Sequence, residues 1–65
     1  MMKGRMVMMD LSSQPEYKKI GIIIEVNKPN LYNGENRITY DILVDGRILR
    51  NQLYEYFYEI ETRRF

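Results

Sequence analysis

Apolar and polar positions alternate most clearly from Arg37 to Asn51, RITYDILVDGRILRN, where two β-branched runs flank Asp45-Gly46. Asp-Gly readily takes the left-handed dihedrals of a type I′ turn, and that turn matches the twist of paired strands. The stretch therefore predicts a β-hairpin whose turn sets the register. Val44 should face Arg47, Ile42 face Leu49, Asp41 face Arg50 and Tyr40 face Asn51. Ile38, Tyr40, Ile42, Val44 and Leu49 then form a face to bury. Arg37, Thr39, Asp41 and Arg50 form a wet one, with Leu43 and Ile48 half-covered near the turn. Opposite charges at Asp41 and Arg50 suit that wet face.

The remaining strands are shorter. Arg5–Leu11 predicts a first strand with Val7, Met9 and Leu11 inward and Met6, Met8 and Asp10 outward. The methionines read first as gap-fillers in a small core, with an adaptable contact surface as the alternative. Ser12–Lys19, SSQPEYKK, is a loop by composition, broken by Pro15. Ile20–Asn27, IGIIIEVN, predicts a strand with Ile20, Ile22, Ile24 and Val26 inward and Ile23, Glu25 and Asn27 outward. Ile22, Ile24, Ile42 and Leu49 are the residues expected to be fully buried. Gly21 marks a bulge or a close backbone crossing. Lys28–Asn36 is a second loop whose Pro29-Asn30 and Asn33-Gly34 steps suit tight turns, with Leu31 and Tyr32 exposed between them. After the hairpin, NQLYEY (51–56) suits one 3₁₀ turn with Leu53 pointing in. FYEIE (57–61) is the last strand, Tyr58 and Ile60 on one face and Glu59 and Glu61 on the other. The two ends, 1–3 and 62–65, are expected to fray.

Five short strands, a long first loop and a 3₁₀-like turn before the last strand resemble the SH3-like small β-barrels, particularly the KOW and Tudor-type group. The resemblance rests on Gly4 with Val7 and Met9, K-I-G-I-I-I-E-V over 19–26, Y-D-I-L-V-D-G over 40–46, and Leu53 with Tyr58-Glu59-Ile60. It spans nearly the whole chain, and the same plan is similar to that of small phage-encoded barrel proteins. It implies a single all-β domain: a five-stranded, mostly antiparallel SH3-like barrel. The peptide-binding members open their fourth strand with tryptophan, and this chain has none, so polyproline recognition is disfavoured. A methyl-lysine cage needs converging aromatics, for which Tyr17 and Tyr32 are the candidates.

Composition narrows the chemistry. The 65 residues include no cysteine and no histidine. Disulfides, thiolate nucleophiles, Cys/His metal sites and the commonest general base are thereby excluded. Glu55, Glu59 and Glu61 are close in sequence, but a solvated strand face accounts for them, so the reading is a non-enzyme without cofactor. No apolar run is long enough to span a bilayer, and the Met-rich start lacks the features of a signal peptide. The absence of cysteine suits a reducing cytoplasm.

Two classes of binding surface remain. With Tyr54, Tyr56, Phe57 and Tyr58 crowded together, alternation must turn some aromatics outward. Tyr17, Leu31, Tyr32, Tyr54 and Tyr56 are therefore candidates for a protein interface, and self-association through an open strand edge belongs to the same reading. Lys18, Lys19, Arg37 and Arg50, with stacking tyrosines, are the candidates for nucleic-acid contact. A formal net charge of +1 gives that alternative no global field to draw on.

Overall fold

In a computed structural model, which describes residues 3–29 and 36–60, the chain forms five strands and a 3₁₀ turn. The strands are β1 (Met6–Met9), β2 (Ile20–Asn27), β3 (Thr39–Val44), β4 (Arg47–Gln52) and β5 (Phe57–Glu59). The turn, Tyr54–Tyr56, comes immediately before β5. The strands make one antiparallel sheet in the order β4-β3-β2-β1-β5, so the all-β reading holds. The sequence leads one to expect a closed barrel. Among the described residues the sheet is open instead, with β4 and β5 as its edges. Closure needs a long run of pairing between the two ends of the sheet. β5 has only three residues, and the pairing of β4 is broken by a bulge.

The β3–β4 hairpin turns at Asp45 (φ 53°) and Gly46 (φ 74°), both left-handed as a type I′ turn demands. Val44 faces Arg47 and Ile42 faces Leu49, as expected. Tyr40, however, faces Gln52 rather than Asn51. Between those pairs β3 has one residue, Asp41, and β4 has two, Arg50 and Asn51, which makes a β-bulge. Asn51 adopts φ 57°, a conformation that asparagine tolerates better than most residues. The Asp41 carboxylate fixes this geometry. It accepts from the Asn51 backbone N–H at 3.0 Å and from Asn27 Nδ2 at 2.9 Å, and lies 3.5 Å from Arg50 Nη1. Thr39 Oγ1 joins the cluster, 3.3 Å from both Asn27 Nδ2 and Asn51 Oδ1. Asp41 and Thr39 are consequently buried, not wet as alternation alone suggests, while Ile38, expected inside, is exposed.

A second bulge sits in β2. Ile23 faces Ile42 and Glu25 faces Asp41, leaving Ile24 without an opposite number. The extra residue reverses the phase of the strand. Val26 points in, with Glu25 and Asn27 on the other face, as the sequence suggests. Before the bulge the assignment inverts: Gly21 and Ile23 are buried, whereas Ile20 and Ile22 are exposed. Ile24 and Leu49 are half-buried rather than fully so.

The core comprises Val7, Met9, Ile23, Tyr40, Ile42, Val44 and Phe57, with Val26, Leu49 and Tyr56 packed against it. Leu11, expected inside, is half-buried beyond the end of β1. The loop at 11–18 is tightly turned, Gln14 N–H donating to the Leu11 carbonyl and Tyr17 N–H to the Gln14 carbonyl. Its base is closed by Lys18 N–H to the Met9 carbonyl and Met9 N–H to the Lys19 carbonyl. Gln14 Nε2 donates to Gln52 Oε1 at 2.8 Å, tying this loop to the end of β4.

Candidate protein interface

The inversion in β2 has a consequence on the opposite face of the sheet. Directly opposed residues of an antiparallel pair project to the same side. Following the register from β1 outward, Met6 faces Ile22, Ile22 faces Leu43, and Leu43 faces Ile48. A second row runs from Tyr58 through Met8 to Ile20. Ile60, whose N–H donates to the Met6 carbonyl, extends the first row beyond β5. Two cross-strand rows thus form a continuous apolar surface on the side away from the core, and every strand contributes to it. Ile20, Ile22, Leu43, Ile48 and Tyr58 are each 36–51% exposed, and Met6, Met8 and Ile60 are half-buried.

This surface is bounded by polar groups. At one end lies the cluster of Asn27, Thr39, Asp41 and Asn51 with Arg50. At the hairpin end, Lys19 Nζ meets Asp45 Oδ2 at 2.7 Å. That carboxylate raises the Lys19 ammonium above its ordinary pKa, through the hydrogen bond first and its charge second.

Of the aromatics proposed from sequence, Tyr17, Tyr54 and Tyr56 lie among the described residues. Tyr54 is exposed but leans on the core: its ring lies 5.6 Å from Phe57 and 6.3 Å from Tyr40, and Tyr40 meets Phe57 edge-on at 5.4 Å. Tyr56 is partly buried against the core. Tyr17 is part-exposed in the first loop, with the Lys18 ammonium 5.4 Å from its ring centre. Leu31 and Tyr32 lie outside the described residues, as do Pro29-Asn30 in part, Asn33-Gly34 and Glu61.

Of the four cations proposed for nucleic acid, Lys19 and Arg37 lie apart. Arg37 precedes β3 and Lys19 reaches the turn that follows it, so the length of that strand, about 17 Å for six residues, separates them. Arg37 is hydrogen-bonded to Glu55, and its guanidinium, helped by a backbone hydrogen bond, holds that carboxyl below its ordinary pKa. Arg50 faces Asp41, and Lys18 sits over Tyr17. Glu59, one of the clustered acids, is taken up by Arg5 at 2.8 Å. No group of three acidic side chains placed to hold a metal ion occurs among the described residues, and no helix there is long and apolar enough to cross a membrane.

The residues of the apolar face were visible in sequence only as separate hints: the Met cluster, the half-covered Leu43 and Ile48, and Tyr58. The signal that joins them is apolarity on both faces of several strands, as in IGIII, MVMM and FYEI, a pattern typical of strands covered on both sides. Comparison with family models, curated proteins and solved structures finds no match.

Proposed function

We propose that this chain is a small, non-enzymatic protein-interaction module of the cytoplasm, an adaptor or accessory subunit. The observation that carries this is the apolar face of Met6, Met8, Ile20, Ile22, Leu43, Ile48, Tyr58 and Ile60. The largest apolar patch of a monomeric soluble protein measures about 300–600 Å² and is often an interaction site. The strand order, with a 3₁₀ turn leading into a β5 that returns to β1, supports an SH3-like small-barrel plan. Fold alone assigns no partner. The ion pairs of Lys19, Arg37 and Arg50 weigh against a nucleic-acid groove, because each cation already lies against a carboxylate.

Site-specific photo-crosslinking in the native host tests this reading. A photoreactive side chain at Ile48, exposed on the apolar face in edge strand β4, should yield covalent protein adducts. The same group at Ser13, on the exposed first loop, should not. Failure of Ile48 to give adducts, or equal yields from both positions, overturns the interface.

A further inference from the structure

Building on the reading of the apolar face as an interface, we propose that its occupant is a second copy of this chain, the two sheets packed face to face about a two-fold axis. Three observations lead there. The first is area. With roughly 200 Å² available from each large side chain, the exposures of Ile20, Ile22, Leu43, Ile48 and Tyr58 amount to about 450 Å² per copy. Two such faces make about 900 Å², and the partly exposed methionines, Ile60 and a polar rim bring the total to about 1,200 Å², the lower end of a standard interface.

The second is charge. Neither cross-strand row contains a charged side chain, and the charges at its two ends are matched within the chain, as Lys19–Asp45 and Arg50–Asp41. A two-fold interface sets one patch against an identical patch, so it must be self-complementary. A neutral apolar centre with internally paired rims meets that condition without like-charge repulsion. The third is layering. The seven core residues on one side of the sheet are already buried within the single chain, so it is the opposite, apolar side that lacks a covering layer. A second copy, about 10 Å away as in packed sheets, covers that side. Edge-to-edge pairing through β4 fits less well, since the bulge at Asn51 interrupts that edge.

Sedimentation equilibrium of the purified full chain, from about 5 to 500 µM, is the test, a span that brackets a micromolar association. The apparent mass should rise with concentration from 7.9 kDa towards twice that value. Leu43→Lys and Ile48→Lys each put a charge into the face and should weaken association at least about tenfold while the chain still melts cooperatively. Arg47→Ser, off the face, should leave it unchanged. A wild-type chain that stays monomeric throughout, or an association that survives both lysine substitutions, overturns the second-copy inference. Monomeric behaviour together with Ile48 crosslinks to a different protein would refute the second copy and leave the interface standing. Monomeric behaviour with no crosslinks would remove both.

Discussion

At the scale of single residues, four left-handed or crowded positions shape the hairpin and its neighbour. Asp45 and Gly46 announce themselves, because Asp-Gly between β-branched runs has few other uses. Asn51 does not: its left-handed conformation follows from a carboxylate ten positions earlier, beyond any local pattern. Gly21 was legible as a close crossing but not by what it approaches. A Cβ there would lie 2.6 Å from Ile42 Cγ2, 2.7 Å from Val44 Cγ2 and 3.1 Å from the Leu43 carbonyl oxygen. Both methyl groups belong to short, branched, fully buried side chains with nowhere to retreat. Gly21→Ala is accordingly expected to destabilise the fold by about 1–3 kcal/mol, the usual cost of overpacking. Urea unfolding reads this directly. An unchanged midpoint would mean that β2 can lift away from β3 at no cost.

At the scale of elements, strand existence and order were readable, and the phase of β2 was not. Ile22, Ile23 and Ile24 are equally apolar, so hydrophobicity cannot say which of them points in. The bulge at Ile24 then lets both ends of the strand satisfy the core with opposite phases. The same logic explains β3: Thr39 and Asp41 look wet by alternation, but the polar cluster buries them with partners. Phase has a sharp energetic signature. Ile23, fully buried against Ile42, should cost about 2–5 kcal/mol when replaced by alanine. Ile22→Ala, at 42% exposure, should stay within about 0.5 kcal/mol of the parent, as surface substitutions usually do. The comparison belongs at low protein concentration, where association does not contribute. Equal losses at the two positions would contradict the inverted phase.

At the scale of the molecule, the choice between protein and nucleic-acid partners turns on how charge is distributed. Net charge is +1, and Lys3, Arg5, Lys19, Arg37 and Arg50 are each placed against a carboxylate. Such exposed pairs contribute little to stability. They do matter for phosphate binding, because a cation that must leave or share its carboxylate offers less to an incoming phosphate. Binding to DNA or RNA draws its strength from releasing counterions, which requires several cations along one track. Here Lys19 and Arg37 act at opposite ends of β3, and Arg50 is held at the bulge. Titration against mixed single- and double-stranded oligonucleotides should therefore give dissociation constants weaker than about 10⁻⁴ M at physiological salt, with Arg50→Glu making little difference. Fluorescence anisotropy at two salt concentrations measures both quantities. Tight binding that falls steeply with salt, and that is lost on reversing Arg50, would return the function to nucleic acid and leave the apolar face as mere cover.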